Sequence, residues 1–142
     1  MTFEEFAERP QRLMERIERQ VEKVNRLQAA CEQTTTIFSD VKVQTSHGNR
    51  RETMLIDYID CKQALSDLLD KYTEAADEVQ AWLYENLEFD DASMLEWRYC
   101  SGLKNAEIAV KMRYREITVR HRISDAVRLA KDKYYQQQKE RG

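Results

Sequence analysis

Glycine and proline are nearly missing from this chain, with three Gly and one Pro in 142 residues. All-β folds and turn-rich α/β folds need far more of both, so the scarcity points to helix. Long apolar runs are missing too. No stretch approaches the ~20 residues of a membrane span, and the start lacks the basic-then-apolar order of a signal peptide. Cysteine is sparse: Cys31, Cys61 and Cys100 are odd in number, far apart and form no CxxC, which predicts reduced thiols in a cytoplasm. The two histidines, His47 and His121, have no ligand-spaced Cys or His partner, so no metal site is expected. There is no Gly-rich phosphate loop, nucleophile elbow or Cys–His arrangement, so neither an enzyme nor a cofactor is expected.

Charge and helical periodicity fill the space these absences leave. Charged residues make up 35% of the chain and hydrophobic ones 42%, with a mean hydropathy of -0.79. The net charge of -3 hides an asymmetry. Residues 104–142 hold 11 Lys/Arg against 5 Asp/Glu, a net of +6, and residues 1–103 hold 12 against 21, a net of -9. An acidic body joined to a basic end suggests that only the end meets a polyanion.

Thr2 and Glu5 have capping-box spacing, which predicts a short helical turn there. Pro10 then fits the first turn of a longer helix, where its missing N–H costs nothing. Leu13, Ile17, Val24, Leu27 and Cys31 recur at helical period, with Met14 and Val21 beside them. The opposite face carries Glu15, Arg16, Glu18, Arg19, Glu22, Lys23 and Arg26, a solvated surface of i,i+3 and i,i+4 pairs. Thr34-Thr35-Thr36 are poor helix formers, and Ser46-His47-Gly48-Asn49 is turn chemistry. Phe38 to Arg51 therefore reads as a connection, with a short extended piece at Val41 and Val43.

A second long helix follows. With Leu55 at heptad position a, the a column is Leu55, Lys62, Leu69, Ala76 and Leu83. Column d is Tyr58, Leu65, Tyr72, Val79 and Asn86, and column g is Met54, Cys61, Leu68, Ala75 and Trp82. Three apolar columns make a stripe wider than a two-stranded seam. The first helix is expected to fold back over part of it, and a second copy of the chain over the rest, giving a homodimer. Asp57/Asp60 and Asp67/Asp70/Glu74 fall at helical spacing without a Glu-x-x-His, which reads as solvated surface rather than a metal site.

Beyond Leu87, Glu88-Phe89-Asp90-Asp91 offers a loop and a helix N-cap, and three shorter helices are expected. The first holds Met94–Tyr99 and ends near Gly102, a suitable residue just past a helix C-terminus. The second, from Asn105 to Met112, turns Ile108, Ala109 and Met112 inward. The third, from about Glu116, turns Val119, Ile123, Ala126, Val127 and Ala130 inward. Arg113, Tyr114 and Arg115 alone separate the last two, the short turn of a helix-turn-helix. Trp97, Tyr99 and Tyr114 each fall on an apolar face and read as core.

The run Leu95-x-Trp97-Arg98-Tyr99-x-x-Gly102-Leu103-x-x-x-Glu107-Ile108-Ala109, followed by Thr118-Val119-x-x-Arg122-Ile123-x-x-Ala126-Val127, resembles region four of bacterial sigma factors. It runs without a gap over residues 95–127. Arg113 stands where that family often has Gly in the turn, and Arg115 and Lys104 replace the usual helix caps. With its acidic helical N-terminal part, the whole chain looks like the small prophage regulators of Gram-positive bacteria, the ArpU-type transcriptional regulators. The resemblance implies a phage-encoded transcription factor that binds double-stranded promoter DNA through its last helix pair.

These readings give an all-α chain: a helical hairpin or bundle over 1–88 for oligomerisation or partner binding, a helix-turn-helix module over 89–134 and a polar tail over 135–142. On the reading helix Glu116, Ile117, Arg120, His121 and Ser124 face outward, where Arg meets guanine and Glu the cytosine amine. Lys111, Arg113, Arg115 and Arg122 are placed for phosphates, which position without specifying. A charged solvent face without a ligand is the plainer reading of the same residues. The hairpin has two candidate partners, a second copy of the chain or RNA polymerase. Two other functions fit the pattern: a small packaging protein that grips viral DNA in a ring, and a module that binds only polymerase.

Overall fold

The computed structural model describes the backbone of residues 1–40 and 45–141, and the side-chain surroundings of residues 1–33 and 50–141. It is all-α, with no strand among the described residues: α1 (Phe3–Asp40), α2 (Thr45–Asn86), α3 (Phe89–Tyr99), α4 (Asn105–Met112) and α5 (Glu116–Arg141). No helix among them is long and apolar enough to cross a membrane. Contacts divide the chain into two packing units, one of Met1–Leu13 with Tyr72–Gly142 and one of Met14–Lys71.

The unit of residues 14–71 is a two-helix seam. On α1, Ile17 and Val24 are buried, and on α2, Cys61 and Leu68. Gln20 Nε2 donates to the Cys61 carbonyl at 2.9 Å, and the Cys31 thiol to the Met54 carbonyl at 3.7 Å. Partners thus run in opposite chain directions, so the two segments are antiparallel. The residues of α2 turned inward, Met54, Tyr58, Cys61, Leu65 and Leu68, alternate by three and four. They are columns d and g of the sequence frame. Within this unit column a faces out: Leu55, Lys62 and Leu69 are exposed, along with Ile56 and Ile59 beside Leu55. One hairpin partner has covered two columns of three.

The other unit is built around Val79, Leu83, Met94, Leu95, Ile108 and Val119, all fully buried. Phe3 enters from the start of α1 and lies 5.4 Å from the Trp82 ring and 5.9 Å from Tyr99, centroid to centroid. Phe6 stacks on Tyr134 of α5 at 5.3 Å, and Tyr134 meets Trp82 edge-on at 5.7 Å. Polar groups at the rim of this cluster are paired. Trp82 Nε1 donates to Gln137 Oε1 (2.9 Å), and Gln137 Nε2 to Asn86 Oδ1 (2.6 Å). Residues 135–141 continue α5 rather than forming a tail, and Gln137 among them helps to fix it to the end of α2.

Three local readings are corrected. Residues read as the connection from Phe38 to Arg51 are largely helical: α1 runs through Thr34–Thr36 to Asp40, and α2 starts at Thr45. Each Thr costs only about half a kcal/mol in a helix, and Gly48 about one, while extending an existing helix is cheap compared with starting one. The extended piece at Val41 and Val43 lies outside the described residues. Pro10 does not open a second helix but lies buried inside α1. The Thr2/Glu5 box caps the whole element, with Thr2 N–H donating to Glu5 Oε2 (3.2 Å) and Glu5 N–H to Thr2 Oγ1 (3.1 Å). Proline cannot donate to the carbonyl four residues back, which is that of Phe6. Arg9 Nε donates to that carbonyl instead, at 3.1 Å, and its guanidinium goes on to Glu78 at 2.7 Å. The third correction, Tyr114, belongs to the site.

Cys31, Cys61 and Cys100 stand as thiols, without a disulfide. Burial pushes the Cys100 thiol up to about 11, and the carboxylates of Glu96 and Asp77 add to the effect. It donates to the Ala76 carbonyl at 3.7 Å, a packed group rather than a nucleophile.

α3 ends on a left-handed glycine. Gly102 has φ +70, and a Cβ placed there would lie 2.7 Å from Gln11 Oε1. Gln11 Nε2 in turn donates to the Tyr99 carbonyl at 3.0 Å, satisfying one of the last acceptors of α3. Gly102→Ala is therefore expected to lower stability by about 1–2 kcal/mol from the backbone alone, with a further loss as Gln11 is displaced. In urea denaturation, combining it with Gln11→Ala should give less than the sum of the two single losses. Full additivity would show that Gly102 and Gln11 are energetically separate.

Candidate nucleic-acid interface

α4 and α5 are short of turn residues, and the chain between them is forced into an uncommon conformation. Arg113 ends α4 in the left-handed region, with φ 59 and ψ 38, the one described residue other than glycine with positive φ. The Arg113 N–H donates to the Val110 carbonyl (3.4 Å) and the Tyr114 N–H to the Ala109 carbonyl (3.1 Å). That is the Schellman pattern, in which the left-handed residue is usually Gly. The α5 backbone bonds begin at once, with the Val119 N–H donating to the Arg115 carbonyl at 3.1 Å. At the other end of α4, the Glu107 carboxylate accepts from the Lys104 N–H at 3.4 Å. The Lys104 ammonium has no lone pair to return the favour, so α4 has half a capping box.

This turn determines which way α5 faces. Val119, Ile123, Ala126 and Ala130 form one buried column against α3 and α4. Every side chain singled out for base edges lies off that column: Glu116, Ile117, Arg120, His121 and Ser124 are all exposed. The Arg120 guanidinium is 4.0 Å from Glu116 Oε1, one helical turn away, in an exposed pair. Such a pair is worth only a few tenths of a kcal/mol and is readily exchanged for another partner.

Of the four cations assigned to phosphates, Lys111, Arg113 and Arg115 are exposed. The Lys111 ammonium sits 5.8 Å from the Trp97 ring centroid. Arg122 differs. It is half-buried, with its guanidinium 5.3 Å from the ring centroid of Tyr114. Burial pushes the Asp91 carboxyl up, and the positive charge of Arg122 opposes that shift. Arg122 thus has an internal partner, the Tyr114 ring of the turn.

Tyr114 is not core, as its apolar spacing implied, but 40% exposed in the turn itself. Apolar periodicity misplaces it because α4 ends at Met112, two residues earlier, so the helical phase no longer applies. Arg128, also exposed, continues the outward line Ile117–His121–Ser124 along α5 and was not singled out from the sequence. Its helical spacing from Ser124 was the available signal. No cluster of three or more His, Cys, Asp or Glu side chains suited to a metal ion occurs among the described residues.

Comparison with protein-family models, with curated proteins and with solved structures gives no match.

A non-glycine residue in the left-handed region carries a backbone cost of about 1–2 kcal/mol, and such costs gather at functional sites. Arg113→Gly is expected to raise the thermal or urea midpoint, by up to about 1 kcal/mol in stability. A fall in stability would show that the Arg113 side chain holds the turn through contacts of its own.

Proposed function

We propose that this chain is a phage or prophage transcription regulator that binds promoter DNA by setting the N-terminal half of α5 in the major groove. One observation carries the reading. On a single helix, in the part of the chain with a net charge of +6, the polar residues Glu116, Arg120, His121 and Ser124 are exposed together while the apolar column beside them is buried. Arg120 is the side chain suited to a guanine edge, since arginine meets O6 and N7 with two parallel bonds. Lys111, Arg113 and Arg115 lie on the flanks and are suited to phosphates, where position matters more than sequence. The sequence likeness to sigma region four supports the same docking mode.

The exposed column of α2 supports a second part of the proposal, a homodimer. Leu55, Ile56 and Ile59 are each at least half exposed and lie within two turns of one another. Contiguous apolar surface of this kind is uncommon on monomers. Two copies would carry two reading helices, which suits a regulator on paired half-sites. A packaging ring would instead need many copies, and a polymerase-binding module would need no DNA at all.

Two sets of variants test the DNA reading. Arg120→Ala should weaken binding to a sequence enriched from random duplexes by about 1–3 kcal/mol, and non-specific binding much less. Arg115→Ala should weaken all sequences alike and reduce the salt slope by about one unit. Lys62→Ala, which removes a positive charge from α2, is the control. Equal impairment by Lys62→Ala and Arg120→Ala would remove the basis for the assignment.

Sedimentation tests the dimer. At micromolar concentration the native chain should run as two copies and Ile59→Asp as one, with unchanged helicity because Ile59 is exposed. A monomeric native chain contradicts the dimer, and a many-membered ring favours packaging.

A further inference from the structure

The outward face at the start of α5 carries one large aliphatic side chain among polar ones. Ile117 is 59% exposed and has no part in the buried cluster formed by Val119, Ile123, Ala126 and Ala130. Glu116 precedes it, and Arg120 and His121 follow one turn on. An exposed β-branched residue lowers helix propensity and gains nothing from packing in the unbound chain. Resting on the DNA-binding reading above, we propose that Ile117 determines part of the sequence specificity by packing against the 5-methyl group of a thymine, beside the base pair met by Arg120.

The chemistry is selective because isoleucine has no hydrogen-bonding group. In the major groove the bases present donors, acceptors and one apolar group, the thymine methyl. Placed against a donor or acceptor, Ile117 would strip it of water and return nothing, which is costly. Against the methyl it would bury apolar area on both sides. Spacing supports neighbouring positions: residues 117 and 120 are about 4.5 Å apart along a helix axis, close to the roughly 3.4 Å between base pairs. Arg120 is loosely held, its guanidinium 4.0 Å from Glu116. It can turn to a guanine while Ile117 meets the adjacent thymine. The ligand is thus a duplex with a thymine next to a guanine in each half-site.

Uracil in place of thymine removes that methyl group and nothing else. The native chain is first used to enrich a sequence from random duplexes, and each thymine of the enriched half-site is then replaced singly by uracil. At one position, next to a guanine, uracil should weaken binding about fourfold, the worth of one buried methyl. Ile117→Ala should bind the thymine and uracil forms of that duplex equally, with its thermal midpoint close to native because Ile117 is exposed. If the enriched duplex is bound and is weakened by Arg120→Ala, yet no uracil has an effect, the Ile117 assignment is overturned and the DNA reading stands. It is also overturned if Ile117→Ala keeps the uracil sensitivity. Failure to enrich or bind any duplex overturns the DNA reading itself, and this inference with it.

Discussion

The left-handed backbone of Arg113 is the constraint on which the arrangement of the basic end depends. With φ 59 at that one residue, α4 stops, the chain turns within Arg113-Tyr114-Arg115, and α5 starts on the Arg115 carbonyl. A right-handed residue there would continue α4 and carry Val119 away from its buried place beside Ile108. The two hydrogen bonds of the Schellman pattern hold the turn against the cost of a side chain in that region. Keeping arginine where glycine would be easier places a third cation in this short stretch, with Lys111 and Arg115. On the proposed DNA-binding reading, that exchanges stability for a binding surface.

A turn alone would leave a 26-residue helix free to pivot, and the far half of α5 removes that freedom. Tyr134 is held between Phe6 and Trp82, and Gln137 bridges Trp82 and Asn86. The start of α1 is part of this anchor. Phe3 and Phe6 belong to the same unit as α3, α4 and α5, and the Lys131 ammonium pairs with Glu4 at 2.5 Å. Residues distant in sequence therefore fix the helix whose other half lies exposed. Pro10 fits within this part of α1 because Arg9 satisfies the Phe6 carbonyl that proline leaves without its usual donor.

Long-period signals in the sequence were legible, and local ones were less so. Ile17, Val24, Cys61, Leu68, Ile108, Val119 and Ile123 are buried at the spacing that marks them, because burial of a periodic stripe dominates helix packing. The outward residues of α5 followed by subtraction. Local signals stop α1 too soon, at Thr34–Thr36, and start α2 too late, beyond Gly48, where local propensity costs tenths to one kcal/mol and helix continuity prevails. Pro10 misled for a different reason: its missing donor matters less when a neighbouring side chain supplies one. Tyr114 and Arg122 could not be placed from spacing, since a turn and a stack of guanidinium on ring have no period.

Mapping the amide resonances of the native chain while a duplex is added tests the central claim most directly. The account predicts that the largest shifts fall between Lys111 and Arg128, on the exposed residues of α4, the turn and the first half of α5. They should fade as salt is raised, because phosphate contacts release counterions. Shifts confined to the α2 face around Leu55, Ile56 and Ile59, or no shifts at low salt, would contradict it.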